Sequence, residues 1–425
     1  MRIPTSVFMV GIGGIGMSAL AQLLKYRGYE VCGSDREESP VVSLLVQKGV
    51  PVAVGHDQCS IPAGTGLLIY SDAVPSTNRE RERAKEMGIP EISYFEALGV
   101  VSKDARTIAV AGTHGKTTTT GMLAKILQQC EKEPTAVIGS IVRDFGSNFL
   151  AGREDLLVVE ACEYRDHLLK LHPEILVITN IELDHTDYFP NLAALQETFG
   201  KAIARVPKYG AIVANPKDPI IAPLLEKYSS LTAVFDYTAQ AVPALAQIGE
   251  FNRMNARAAK CAARAAFPHL QEGCIDRALM DFKGSWRRFE YKGETPNGAV
   301  VYDDYAHHPT AIAKTIEAAR EHFPEKKIIV AFHPHLYSRT KSLVREFALA
   351  LALADSAVVA PIYAAREEPD PAISHHILAD LAGETVEALD SFDAVRDRLL
   401  SEGNDALIIT MGAGDIYKIA EQIAD

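Results

Sequence analysis

The sequence predicts an α/β protein built on parallel sheets with helices on both faces. Two observations carry this. Short apolar runs alternate with amphipathic helical patterns along the chain, and each of two glycine-rich loops follows an apolar run and precedes a helix. The strands are expected at Val7–Val10, Leu67–Tyr70, Thr107–Val110, Leu156–Val159, Ile175–Thr179, Ala211–Ala214, Val300–Tyr302, Lys327–Phe332, Ser356–Pro361 and Ala406–Thr410. No internal repeat or low-complexity tract interrupts them.

The chain divides into three blocks. Polar stretches at Ser102–Arg106 and Lys283–Arg288 mark the joints, giving expected domains at residues 1–101, 102–285 and 286–425. At 425 residues, three domains have ordinary size. The charge arithmetic narrows the partners. Lys plus Arg total 43 against 55 Asp plus Glu, a net charge of −12. Such a chain has no global electrostatic reason to bind nucleic acid, although a local basic pocket for a small anion stays open.

The six cysteines are scattered without a C-x-x-C pair. They read as reduced cytosolic thiols, not a zinc cage or a disulfide framework. The apolar, uncharged stretch Val7–Leu24 superficially resembles a signal peptide, but Gly11, Gly13, Gly14 and Gly16 break its middle. No membrane association is expected.

The first loop, Gly11-Ile12-Gly13-Gly14-Ile15-Gly16, fits G-x-G-x-x-G and opens the helical pattern Met17–Tyr26. Its glycines let backbone N–H groups approach a pyrophosphate at a helix N-terminus. Asp35 follows at the spacing of an acidic group that meets a ribose hydroxyl. The loop does not distinguish NAD from a UDP-linked compound.

The second loop, Gly112-Thr113-His114-Gly115-Lys116-Thr117-Thr118, is more specific. A strand precedes it and a helix follows. Lys116 is placed to reach the β/γ-phosphates of a nucleotide, and the Thr117 hydroxyl to ligate Mg²⁺. It is a compact form, because Val110 stands where the longer pattern has its first glycine. Glu160, ending a strand, supplies a hard oxygen for the metal, and His185 a less usual ligand. Asp166, Asp187 and Glu163 read as solvated. Two phosphate loops in one chain imply two nucleotide-bearing substrates, as in an ATP-dependent ligase acting on a nucleotide-linked compound.

In that order the motifs resemble those of the Mur ligases. The markers are Gly11–Ser18, Gly33-Ser34-Asp35, Ser71-Asp72-Ala73-Val74-Pro75 with Asn78, Gly112–Thr118, Glu160 in VVEACEYRDHLL, and Thr179–His185 with Asp187-Tyr188-Phe189. Asn252 and Asn255 in FNRMNARAA, Arg287-Arg288-Phe289, Asp303–Pro309, His335 and Arg339 in FHPHLYSRT, and Gly412–Ile416 complete the set.

The resemblance implies an N-terminal Rossmann-like UDP-binding domain, a central P-loop ATPase-type domain and a C-terminal Rossmann-like domain that brings an amino acid. It implies ATP-dependent joining of L-alanine to the lactyl carboxylate of UDP-N-acetylmuramate through an acyl phosphate, with ATP and Mg²⁺, in the cytoplasm, by a monomer or weak homodimer. UDP-substrate contacts would come from Gly13, Gly14, Ile15, Gly16, Met17, Ser18, Asp35, His56, Ser71 and Asn78. ATP would meet Gly112–Thr118, Asn252 at the adenine, Asn255, Asp304 at the ribose and Arg288 at the γ-phosphate. Thr117, Glu160 and His185 would hold the metal. His335 and Arg339 would bind the amino acid, with His308 and Arg288 also serving the chemistry. Arg287 reads as a structural ion pair, His307 equally as a core histidine, and the pair His375-His376 as surface.

Departures from the family pattern are Val7 and Leu336, where histidine and arginine are common, and Phe251 before Asn252 in place of histidine. Leu336 puts more of the carboxylate binding on Arg339. Some relatives carry a carbamylated lysine. Lys201 is the one nearby candidate and reads as a solvated helical residue. A ligase that attaches a whole peptide to the same UDP-sugar is the close alternative, against which the GIGGIGMS loop speaks. An NAD-dependent oxidoreductase fused to an NTPase, and an inactive UDP-sugar-binding regulator, are further ones.

Overall fold

The computed structural model describes residues 2–55, 61–229, 231–365 and 367–424. Three sheets form along the chain. The first contains β1 (Ser6–Val10), β2 (Glu30–Asp35), β3 (Val52–Val54), β4 (Leu67–Tyr70) and β5 (Glu91–Ser93), in the order β3-β2-β1-β4-β5 and parallel throughout.

The second contains β6 (Arg106–Ala111), β7 (Pro134–Val142), β8 (Ser147–Leu150), β9 (Arg153–Glu160), β10 (Ile175–Ile178), β11 (Ala211–Ala214) and β12 (Ala233–Asp236). Its order is β12-β11-β10-β6-β9-β7-β8, with only β7–β8 antiparallel. The third contains β13 (Glu290–Glu294), β14 (Val300–Asp304), β15 (Lys327–Phe332), β16 (Ser356–Val359), β17 (Val386–Ala388) and β18 (Ala406–Met411). Here the order is β13-β14-β18-β15-β16-β17, with antiparallel pairing only at β13–β14.

All ten expected strands form, their ends shifted by at most three residues. The others were hidden for physical reasons. Strand β13 lies at a sheet edge and is polar, so it lacks an apolar run, while β12, at an edge of its own sheet, is largely exposed and offers only Ala233-Val234-Phe235. In β7, Gly139 and Ser140 interrupt an otherwise apolar segment.

The alternation of a two-sided buried strand is clear in β15. Ile328, Val330 and Phe332 join one cluster with Ile316, Phe347 and Leu378, while Ile329 and Ala331 join another with Val395, Leu399 and Ile419. Each fully buried side chain of this size contributes about 1.5–3 kcal/mol of transfer free energy.

Contacts divide the chain into two compact units. One comprises Met1–Ile181, Leu195–Ala244 and Met254–Lys283 and contains the first two sheets. The other comprises Glu182–Ala194, Leu245–Arg253 and Gly284–Asp425 and contains the third. Within the first unit, the helix Ile15–Tyr26 is tied to β8 by buried hydrogen bonds. Asn148 Nδ2 donates to Ser18 Oγ at 2.8 Å, Gln22 Nε2 to Asn148 Oδ1 at 2.9 Å, and Ser147 Oγ to Gln22 Oε1 at 2.9 Å.

No helix among the described residues is long and apolar enough to cross a membrane. The thiol expectation needs one correction. Cys130, at the end of the helix Lys116–Gln129, is disulfide-bonded to Cys274 in the helix Glu272–Met280, with Cα atoms 5.9 Å apart. Residues 144 apart in sequence meet because these two helices pack together, which no cysteine spacing reveals. Cys32, Cys162 and Cys261 are free, and Cys59 lies outside the described residues.

Candidate active site

The second glycine loop joins β6 to the helix Lys116–Gln129. Gly112 has φ +132°, and a β-carbon there would sit 2.1 Å from Thr179 Oγ1. Gly115 has φ +81° and would meet Asn255 Oδ1 at 2.2 Å. Only glycine fits either backbone. The turn is fixed by the end of β10: Thr113 N donates to Asn180 O at 3.1 Å and His114 N to Asn180 Oδ1 at 2.9 Å, while Thr179 Oγ1 donates to His114 O at 2.6 Å. The Thr113 and His114 amides therefore hold the loop to Asn180 here, where the sequence pattern aimed them at phosphate. Gly115 gives the helix no side-chain cap, and such a helix start favours an anion.

Lys116 closes over this loop. Its Nζ lies 3.0 Å from Glu163 Oε2 and 3.1 Å from Oε1, and also donates to Gly112 O and Thr113 O. Burial pulls the ammonium down, and the charges of Glu163, Cys162 and Glu160 outweigh it, leaving it above the usual lysine range. Glu163 is 1% exposed, so it is not the solvated residue expected. The expectation fails similarly for Asp166, which is half-buried and accepts from Thr198 Oγ1 at 2.5 Å; Asp187 is exposed as expected.

Glu160 is held at both oxygens. Thr117 Oγ1 donates to Oε1 at 3.1 Å and Gly139 N to Oε2 at 2.7 Å. Thr117 and Glu160 thus present hard oxygens side by side, a donor set that fits Mg²⁺. Thr118 is buried in the first turn of the helix, and Asn255 stands against Gly115. Lys201 is half-exposed and paired with Glu197 at 2.8 Å, the solvated helical lysine expected.

The first glycine loop joins β1 to the helix Ile15–Tyr26. Gly13 N donates to Asp35 Oδ2 at 2.7 Å, and Arg36 N to Asp35 Oδ1 at 2.8 Å. Both oxygens of Asp35 accept from backbone, so the carboxylate braces the loop. Gly13, Ile15 and Gly16 are partly exposed and Gly14 is exposed, the helix again lacking a side-chain cap. Met17 and Ser18 are buried, with Ser18 committed to Asn148. Ser71 lies against Gly11 beside the loop. Asn78 caps the helix Arg79–Glu86, accepting from Glu80 N at 2.9 Å and Arg81 N at 3.3 Å. His56 lies outside the described residues.

The other unit assembles its own cluster. Arg339 is buried, and its Nε and Nη2 donate to Asp184 Oδ1 at 3.0 and 2.8 Å. Its Nη1 faces His335 Nδ1 at 3.3 Å. Burial pushes the Asp184 carboxyl up, but Arg339 and the nearby His185, His307 and His308 hold it well below the usual range. Burial and Arg339 keep His307 well below an ordinary histidine. His308 caps the helix Pro309–His322.

His185 and Leu336 both have positive φ, +54° and +72°, a strained backbone for such residues. Asp304 accepts from Phe289 N and Ala306 N, each at 2.7 Å, and burial raises it to about 6 against the opposing charge of Arg288. Its oxygens therefore pin two loop amides, a role the sequence did not suggest. Arg287 forms the expected structural pair, donating to Asp303 Oδ2 at 2.8 Å and to the carbonyls of Gly412 and Gly414. Asn252 donates to Ile248 O at 2.8 Å within this unit.

Three residues that position the site were not singled out as site residues from sequence: Glu163, Thr179 and Asn180. Thr179 and Asn180 fall inside the TNIELDH marker, which was the signal available for them.

Comparison with known proteins identifies the family. Residues 6–106 match the Mur ligase family catalytic domain, residues 110–253 the Mur ligase middle domain, and residues 287–414 the Mur ligase glutamate ligase domain. The chain is 38% identical to the UDP-N-acetylmuramate–L-alanine ligase of Rubrobacter xylanophilus, over 98% of this chain and 99% of that protein. It superimposes on the crystal structure of UDP-N-acetylmuramate-alanine ligase MurC from Thermotoga maritima with a TM-score of 0.81 at 27% identity, covering 98% of each chain. A murein peptide ligase from Psychrobacter arcticus shares the fold, with a TM-score of 0.75 at 23% identity over 99% of this chain and 98% of that one. Three matched domains in order, on a structure with both glycine loops formed, place this chain in the Mur ligase family.

Proposed function

We propose that this chain is the ATP-dependent ligase that joins L-alanine to the lactyl carboxylate of UDP-N-acetylmuramate, a step in peptidoglycan precursor synthesis. The observation that carries the reading is the phosphate loop, with Lys116 on Glu163 and Thr117 on Glu160, in a chain similar over nearly its whole length to ligases of that name. The proposed domains are residues 1–101 for the UDP-sugar, 102–285 for ATP and 286–425 for the amino acid.

In this reading the lactyl carboxylate attacks the γ-phosphorus of ATP, releasing ADP and leaving an acyl phosphate. Charge on the transferring group is met by Lys116, the helix start at Gly115 and Arg288. Thr117 and Glu160, with His185, would hold Mg²⁺, which would supply further neutralisation. The neutral amine of L-alanine then attacks the acyl carbon, and phosphate leaves. Arg339, with His335, takes the alanine carboxylate. Asn252 meets the adenine and Asp304 helps order the loops around the nucleotide. An acyl phosphate hydrolyses readily, so water must be kept from it.

The test is an assay with ATP, Mg²⁺, UDP-N-acetylmuramate and each L-amino acid singly, measuring phosphate and product mass. Phosphate release is expected to require every component, with L-alanine preferred over glycine and serine. Equal release without any amino acid would sink the ligase reading. Turnover with a tripeptide but not with alanine would make it a peptide ligase.

A further inference from the structure

Three metal-capable side chains converge at a second place, in the unit that contains the third sheet. The helix His375–Ala382 begins after Ser374, whose hydroxyl accepts from Ile377 N at 3.2 Å. Its first two residues are His375 and His376. Their Nε2 atoms lie 2.9 and 2.8 Å from one oxygen, Oδ1 of Asp390, in the loop after β17. The ring centroids are 4.2 Å apart.

Hydrogen bonding alone is a weak reason for this convergence. Consecutive helical residues point about 100° apart, yet both rings turn to one oxygen. Asp390 is 79% exposed and His376 52%. Exposed pairs of this kind contribute little, while fixing three rotamers costs entropy. One group that rewards all three at once is a shared cation. The donors of the trio lie within 4.8 Å of one another. Two imidazole nitrogens and one carboxylate oxygen match a borderline divalent ion such as Zn²⁺, not the all-oxygen preference of Mg²⁺ or Ca²⁺.

We propose that His375, His376 and Asp390 bind a borderline divalent cation, Zn²⁺ foremost, at a site separate from the nucleotide loops. The exposure of His376 and Asp390 leaves a coordination position open to solvent. Binding clamps the start of the helix His375–Ala382 to the loop before the helix Phe392–Leu400. His375 also lines a cavity of about 350 Å³ with Tyr337, Ile362, Pro371 and Ile373, so the cation fixes one wall of that cavity.

The test titrates Zn²⁺ into the full chain by calorimetry under excess Mg²⁺, which occupies the oxygen-rich site. One saturable Zn²⁺ is expected in the wild type. His375→Ala with His376→Ala, and separately Asp390→Asn, should weaken it by at least ~10-fold while phosphate release stays at the wild-type rate. Co²⁺ in place of Zn²⁺ should give visible d–d absorption that the double variant loses. Equal Zn²⁺ affinity in wild type and double variant, or no saturable uptake by the wild type, overturns the proposal.

Discussion

Lys116 Nζ lies 3.0 Å from Oε2 of Glu163, a carboxylate buried beneath the phosphate loop. The lysine that the loop offers to phosphate is therefore already tied to an anion of the protein's own. Nucleotide binding must exchange or share that partner. Hydrogen bonds to charged groups contribute about 1.5–3 kcal/mol, so Glu163 sets where Lys116 waits. Lys116→Ala is expected to abolish phosphate release. Glu163→Gln should lower kcat by about tenfold, since 1.4 kcal/mol of lost positioning is a factor of ten. A wild-type rate in Glu163→Gln would leave the pair without a part in the reaction.

Arg339 makes two demands testable together. Its guanidinium is committed to Asp184 and faces His335, and Asp184 is itself buried. Arg339→Ala leaves that carboxylate unpaired, which costs about 3–5 kcal/mol. Urea unfolding of the variant should show the loss, and the KM for alanine should rise far more than the KM for ATP. An unchanged alanine KM means another residue holds the substrate carboxylate.

Asp304 gives a pH signature. Burial raises it to about 6, above the ordinary carboxyl value, so the native state holds its proton longer than the unfolded chain does. Its contribution to stability is complete below the unfolded value and is lost as pH rises through about 6. Carbon-13 NMR of the Asp304 carboxyl should titrate near that pH. Arg288 opposes the rise, so Arg288→Ala should move the midpoint upward; a fall would contradict the assigned cause.

The link between helix and strand at Asn148 connects the first two sheets. Asn148→Ala removes its bonds to Ser18 and Gln22 in a buried setting. Each intramolecular hydrogen bond lost contributes about 0.5–1.5 kcal/mol. Faster limited proteolysis and a raised KM for the UDP-sugar are expected, because the helix that starts at the first glycine loop loses its anchor. Proteolysis at the wild-type rate would show the network to be dispensable.

The Cys130–Cys274 bond closes a span of 144 residues. A cross-link over a loop of that scale stabilises by up to about 5 kcal/mol in the chain-entropy picture. Alkylation of the unfolded chain should add two more labels after reduction than before. Equal labelling would mean both thiols are free in the isolated protein.

The legibility of the molecule varied by residue for physical reasons. Strands buried on both faces, such as Lys327–Phe332, must be apolar and so show themselves. Edge strands such as Glu290–Glu294 bury little and do not. The glycine loops were legible because close backbone approach leaves glycine no substitute. Asn78, Asp35 and Asp304 fitted ligand roles by motif, yet each is occupied by backbone N–H groups that only the folded loops bring within reach.

The sequence by itself determined the α/β class and the two glycine loops, because periodicity and loop chemistry are local properties, and the order of its motifs carried the ligase reading. Tertiary structure alone decided that Glu163 meets Lys116, that Asp184 meets Arg339, that Cys130 meets Cys274 and that two histidines turn to Asp390. Those pairings join segments far apart in the chain. Their energies depend on burial and distance, which exist only once the sheets have packed.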